Sequence, residues 1–265
     1  MHHILKNRLR PLAFLLTLLA AALPCSAQTR AGQAQTDRMY EPVPPPAARQ
    51  ITLGVLLFPG FEMLDAYGPM EMWGSLKHAP ARFWGEKSDR VDIRLVTVAA
   101  TKGAVPSNQG PRTVADFDYT DAPALDYLLV PGGIGAVPLV KDQATLAWLR
   151  TQAKNTSLVM SVCNGASLLA AAGILDGKAA TTNKMAFKSS IAPGPKVRWV
   201  ASARWVDSGN VATSSGVSAG MDMTVAVIAR LYGQALSDWV AQITEYEPHR
   251  DPSWDPFAVK AGLVK

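Results

Sequence analysis

Four short apolar runs constrain this chain more than any other feature. Ile51 to Phe58 stops at Pro59-Gly60, Val91 to Ala99 follows, Tyr127 to Val130 stops at Pro131-Gly132-Gly133, and Ser157 to Val162 runs into Cys163-Asn164-Gly165. The first, third and fourth, apolar without polar alternation, read as buried strands, the first of them buried on both faces, and Val91 to Ala99 as a further strand candidate. Between them lie segments of helical spacing: Met63 to Gly74, and Asp142 to Lys154 with Leu146, Leu149 and Ala153 on one side. Gly103 to Thr113 reads as a hairpin, and Met221, Val225, Ile228 and Ala229 as the core face of a late helix. Strands alternating with helices predict an α/β fold whose mainly parallel sheet is covered on both faces. In such sheets ligands bind beyond the carboxyl ends of the strands, where Pro59-Gly60, Gly132-Gly133 and Cys163 all fall.

Before this domain, Lys6, Arg8 and Arg10 precede an apolar run, Leu12 to Leu23, that ends in Pro24-Cys25-Ser26-Ala27. The pattern is that of a secretory signal peptide over residues 1–27, and the run is short for about 30 Å of hydrocarbon. A cleaved signal is therefore expected rather than a retained anchor or lipidation at Cys25, which implies a periplasmic or secreted protein with no stable membrane insertion. Residues 28–50, with Pro42-Val43-Pro44-Pro45-Pro46, read as a flexible or polyproline-like leader, and 51–265 as a single domain. A composition that is 48% hydrophobic and 18% charged excludes disordered, collagen-like and coiled-coil chains. Removing the signal leaves 23 Lys plus Arg against 21 Asp plus Glu, a net charge of +2. No basic stripe remains, so no nucleic-acid partner is expected.

The same cleavage leaves Cys163 as the lone cysteine of an exported chain, with no internal disulfide open to it. The strand before it passes into a helical pattern without a loop, which sets the thiol at a tight elbow. The positive end of a helix there would favour thiolate, although a buried, inert cysteine is the plainer alternative. Asp65 follows the first strand and reaches the same sheet edge, either as a helix N-cap or as an acid beside the thiol, protonated or ionised. Glu62 reads as a solvated loop residue. His78 and His249 both read as exposed loop residues, so a Cys–His base is missing and peptidase activity is not expected. No His and Cys cluster has metal-ligand spacing, so no metal is expected. Neither Gly-Gly nor Pro-Gly opens a phosphate loop or a dinucleotide fingerprint, and no cofactor is implied.

Taken in order, Phe58-Pro59-Gly60, Leu64-Asp65 with Gly68-Pro69 and Glu71, Pro131-Gly132-Gly133, Val162-Cys163-Asn164-Gly165-Ala166, Ala171 to Gly177 and Ser214 to Asp222 resemble the ThiJ/PfpI family. That family lies within the class I glutamine amidotransferase-like superfamily, and the branch resembled is that of isonitrile hydratase and the sensor domains of AraC-type regulators. The resemblance runs from about Ile51 to Phe257. It implies a flavodoxin-like three-layer α/β sandwich, a homodimer, a nucleophile at Cys163 and an acid at Asp65. It also implies backbone donors for developing negative charge at Asn164 and Gly133, beside Gly132. Two departures stand out: Asn164 follows the cysteine where isonitrile hydratases commonly have Thr, and Thr181-Thr182-Asn183-Lys184 stands where the branch tends to carry Thr-Thr-His-Trp. The expected function is that of a cofactor-free, cysteine-dependent enzyme acting on a small electrophilic substrate by isonitrile-hydratase-like hydration or lyase chemistry. The alternative is a non-enzymatic ligand-binding or thiol redox-sensing protein. The helix-turn-helix pair of AraC-type regulators is not expected in the residues after Phe257, while Trp254 and Phe257 wall a pocket or cover a sheet edge or dimer surface.

Overall fold

In chain order the elements are β1 (Arg49–Leu56), α1 (Met63–Ser75), β2 (Val91–Ala99), β3 (Gly103–Pro106), β4 (Arg112–Ala115), β5 (Phe117–Asp118), β6 (Tyr127–Val130), α2 (Ala136–Leu139), α3 (Gln143–Asn155), β7 (Leu158–Ser161), α4 (Gly165–Ala171), β8 (Ala179–Ala180), α5 (Phe187–Ile191), β9 (Arg198–Trp199), β10 (Trp205–Asp207), β11 (Val211–Ser214), α6 (Ala219–Tyr232), α7 (Gln234–Ile243) and α8 (Pro256–Lys260). The computed structural model describes residues 49–84 and 90–265, all within one compact unit, Met39–Lys265. The other unit, Met1–Arg38, lies outside the described residues, as do the whole predicted signal peptide and the predicted leader up to residue 48. The leader's last two residues, Arg49 and Gln50, belong to β1, where they pair with Val91 and Asp92.

Seven strands form the main sheet in the order β10-β11-β7-β6-β1-β2-β5. All pairs are parallel except β10 with β11. The all-apolar runs account for this arrangement, because every residue of β6 and β7 is buried and so is β1 from Ile51 onward. From β1 the chain moves outward to β2 and β5, then returns to place β6 on β1's other side. That reversal opens a crevice beyond the carboxyl ends of β1 and β6, the usual ligand position in an open parallel sheet. β3 and β4 form the predicted hairpin as a separate antiparallel ribbon.

Helices α1, α6 and α7 pack on one another, and α3 packs on α4, which lies against β6 and β7. The layers are knit by aromatic contacts: Trp73 of α1 lies 5.4 Å from the Tyr127 ring of β6 and 6.3 Å from the Tyr232 ring of α6. The two tyrosine hydroxyls meet at 2.6 Å in the interior. Asp142 caps α3, its carboxylate accepting the Thr145 N–H at 2.8 Å, so the predicted helix starts one residue later than its first polar residue. Among the described residues, no helix is long and apolar enough to cross a membrane.

Candidate active site

Cys163 adopts φ 57°, one of few non-glycine residues on the left-handed side. Such a conformation costs about 1–3 kcal/mol and persists only where its surroundings enforce it. Here they do: the Cys163 N–H donates to the Ser215 carbonyl at 3.1 Å, and the Cys163 carbonyl accepts the Thr182 hydroxyl at 2.9 Å. The next element begins at once with Gly165, where a Cβ would lie 2.2 Å from the Val130 carbonyl oxygen. β7 thus turns into α4 through the predicted elbow, tight against the exit of β6.

Asp65 sits in the first turn of α1 and is fully buried. It is not the N-cap. Glu62 holds that position, with its N–H on the Gly132 carbonyl at 2.7 Å and its carboxylate on the Gln109 side-chain amide at the hairpin tip. Glu62 is therefore tied to the site rather than free in a solvated loop. Asp65 accepts the Gly132 N–H on Oδ2 at 2.9 Å, while Oδ1 is buried without a hydrogen-bond partner among the described residues. Burial pushes the Asp65 carboxyl up to about 8, with help from the Glu62 charge and against the pull of the Gly132 N–H and of a hydrogen bond with the Cys163 thiol. At neutral pH this side chain carries its proton.

The sulfur departs from expectation. Cys163 is 7% exposed, and burial, reinforced by the Asp65 charge, pushes the thiol up to about 12. The Asn164 N–H and the Asn183 side chain pull the other way and lose. The helix-terminus argument failed because α4 is only seven residues long, whereas the loss of water around the sulfur is nearly complete.

The Gly-Gly turn corrects a second expectation. Gly133 was expected to offer a free N–H, yet it donates to Asn164 Oδ1 at 2.7 Å, and Asn164 Nδ2 donates back to the Gly133 carbonyl at 3.0 Å. A hydroxyl at position 164 carries its donor and acceptor on one oxygen and would not span the Gly133 N–H and carbonyl as the two ends of the carboxamide do. Gly132 also has its N–H engaged, by Asp65. Gly133 itself sits at φ 124°, and a Cβ there would lie 2.3 Å from the Gly60 oxygen and 2.5 Å from the Glu62 nitrogen. Gly133→Ala is accordingly expected to cost at least about 2 kcal/mol, read from the urea midpoint. An unchanged midpoint would show that the turn relaxes freely.

Asn183 is the site residue that sequence reasoning missed. Its Nδ2 donates to Cys163 Sγ at 3.1 Å, and its Oδ1 accepts the Ala186 N–H at 2.8 Å. Its signal in the sequence is its place in Thr181-Thr182-Asn183-Lys184, at the position where the resembled branch tends to carry His. His78 and His249 are both exposed, with His249 tethered by its backbone N–H to Asp222 at 2.8 Å. Trp254 and Phe257 lie about α8 at 41% and 45% exposure. A cavity of about 160 Å³ opens beside the elbow between Ala136, Val137, Val140, Asn164, Ala186 and Pro193. Among the described residues no cluster of three His, Cys, Asp or Glu could hold a metal ion.

Comparison with known proteins places this geometry in a wider group. Residues 53–230 match the DJ-1/PfpI family along most of the folded chain. The chain belongs to the DJ-1/PfpI family. Among curated members it is 33% identical over 199 residues to isonitrile hydratase from Pseudomonas putida, covering 75% of this chain and 79% of that one. It is 29% identical over 213 residues to the HTH-type transcriptional regulator GbdR from Pseudomonas aeruginosa, covering 80% of this chain and 55% of the regulator. A crystal structure of a ThiJ/PfpI family protein from Pseudomonas syringae superimposes with a TM-score of 0.64 at 25% identity, covering 94% of this chain and 93% of that one. Drosophila melanogaster DJ-1beta shares the fold, with a TM-score of 0.61 at 19% identity over 75% of this chain and 99% of that one. The DJ-1/PfpI sandwich is thus the flavodoxin-like α/β fold expected from the sequence.

Proposed function

We propose that this chain is a cofactor-free enzyme that hydrates a small isonitrile-type substrate, with Cys163 as nucleophile and Asp65 as its proton partner. The observation that carries this reading is a cysteine held at φ 57° beside the fully buried Asp65 carboxyl, to which its thiol is coupled. The likeness to isonitrile hydratase supports the substrate class.

The reactive form is the acid–thiol pair after loss of one proton, with thiolate facing neutral carboxyl. Sulfur donates its electron pair to the isonitrile carbon, forming a C–S bond, and the Asp65 proton passes to that carbon to give a sulfur-linked imidate. Water then adds its oxygen to the same carbon. One of its protons goes to the substrate nitrogen and the other to Asp65, and the C–S bond breaks with both electrons leaving on sulfur. A formamide results, the pair is restored, and nothing is oxidised or reduced.

The test is formamide production from a series of small alkyl isonitriles as a function of pH. Turnover is expected to rise as the pair loses its first proton near 8 and to fall as it loses its second near 12. No formamide from any member of the series would end the hydratase reading. The regulator likeness favours a second reading, ligand binding without turnover. Tight isonitrile binding without consumption would select it. Oxidation sensing is less favoured, because a buried thiol pushed upward is a poor target for peroxide. The proposal includes export through residues 1–27 and a homodimer. The exposed apolar side chains of Ile134, Val137 and Met185, close in sequence to the site residues, support a face covered by a second copy.

A further inference from the structure

Two carboxamides occupy the places where acyl transfer needs other chemistry. Ester or peptide cleavage by a thiol requires a base for the thiol proton and free N–H donors for the oxyanion. At the sulfur stands Asn183, and its orientation is fixed. The Ala186 N–H holds Oδ1 at 2.8 Å, so the amide nitrogen and not the oxygen faces Sγ at 3.1 Å. A carboxamide in this pose donates a hydrogen bond but takes up no proton. Asp65 does not fill the gap as a ground-state base, since burial keeps it protonated at neutral pH and its Oδ2 is tied to the Gly132 N–H. At the Gly-Gly turn stands Asn164, whose Oδ1 already lies 2.7 Å from the Gly133 nitrogen, where an oxyanion would sit. Its own backbone N–H acts on the sulfur.

We infer that Asn164 and Asn183 are the specificity-determining residues of this site, which together close it to acyl transfer and leave it open to addition at an electrophilic carbon. An isonitrile places the developing charge on its own carbon, where the Asp65 proton neutralises it, and expels only the enzyme's own sulfur, so the thiolate formed by the acid–thiol pair suffices and the blocked donor is not needed. The inference rests on Cys163 being the nucleophile proposed above, and its test keeps the two apart.

The probe is p-nitrophenyl acetate. Sulfur would form a bond to the acetyl carbon, p-nitrophenolate would leave with the C–O electron pair, and water would hydrolyse the thioester to acetate and thiol. The wild-type protein is expected to show no hydrolysis above background. Asn183→His is expected to raise the rate of iodoacetamide alkylation of Cys163 at pH 7 by about tenfold, because imidazole accepts the thiol proton. Asn183→His combined with Asn164→Ala is expected to hydrolyse the ester about a hundredfold faster than wild type, and Asn164→Ser alone about tenfold faster. The gains are expected to vanish on adding Cys163→Ala. Faster alkylation without any gain in ester hydrolysis would overturn the specificity role while leaving the nucleophile standing. Gains that survive Cys163→Ala would overturn both. Efficient ester hydrolysis by the wild-type protein would also overturn the inference. Asn164→Ser puts a hydroxyl in place of the carboxamide and provides the check if the histidine variant fails to fold.

Discussion

Replacing Cys163 by alanine is expected to abolish isonitrile turnover, with a loss of at least about a thousandfold, while Asp65→Asn is expected to lose about a hundredfold or more and also to stabilise the protein. The two effects of the aspartate substitution have one origin. Asp65 is raised from 3.8 to about 8 by burial first of all, so the folded protein binds a proton there that the unfolded chain releases from about pH 4 upward. Folding stability from this group therefore falls as pH rises from about 4 to 8. Asparagine keeps an acceptor for the Gly132 N–H and carries no charge at any pH, so that slope should disappear. By pH 7 the gain over wild type is about 4 kcal/mol, read by urea denaturation at pH 4 and pH 7. If Asp65→Asn keeps full turnover, or if the wild-type midpoint does not depend on pH between those values, the carboxyl is not the protonated partner described above.

Arg204→Met is expected to destabilise the protein by about 3–5 kcal/mol, because it strips the counterion from two buried carboxylates at once. Arg204 Nε lies 2.7 Å from Asp222 and Nη1 lies 3.6 Å from Asp255, with both acids essentially buried. Asp222 also accepts the Tyr246 hydroxyl at 2.6 Å and the His249 N–H at 2.8 Å, while Asp255 caps α8 through the Phe257 N–H at 2.9 Å. The Arg204 N–H meets the Pro252 carbonyl at 2.8 Å, and the Asp255 N–H meets the Ser202 carbonyl at 2.7 Å. The guanidinium thus fastens residues 246–257 to the body of the domain. Amide hydrogen exchange in that segment should accelerate along with the loss of stability. A variant that unfolds at the wild-type urea concentration with unchanged exchange would show that the carboxylates are solvated or paired elsewhere.

The architecture was largely legible because its signals are local. Uninterrupted apolar runs ending in Pro-Gly, Gly-Gly and Cys-Asn-Gly marked β1, β6 and β7, and they brought Asp65 and Cys163 to one edge of the sheet. What escaped depended on contacts between distant segments. Asn183 reaches Cys163 from 20 residues away, and Asn164 reaches Gly133 from 31. No helical or strand period encodes such pairings. The state of the thiol escaped for a related reason, since a helix end and a turn are visible in a sequence but the exclusion of water from the sulfur is a property of the assembled layers. Asp65 was ambiguous between cap and acid until the start of α1 at Met63 moved the cap to Glu62. The cluster of Lys184, Arg204, Asp222 and Asp255 carried no spacing pattern, because its members come from four separate segments.

The elbow gives the molecule an internal gauge of its own integrity. In an open chain the Cys163 sulfhydryl would regain an ordinary pKa near 8.5, far below that of the assembled site, so labelling reagents too bulky to enter the closed site should meet it chiefly during brief openings. The pace of that labelling would then count excursions that part β7 from β6 and α1, in the intact protein and without an added reporter group.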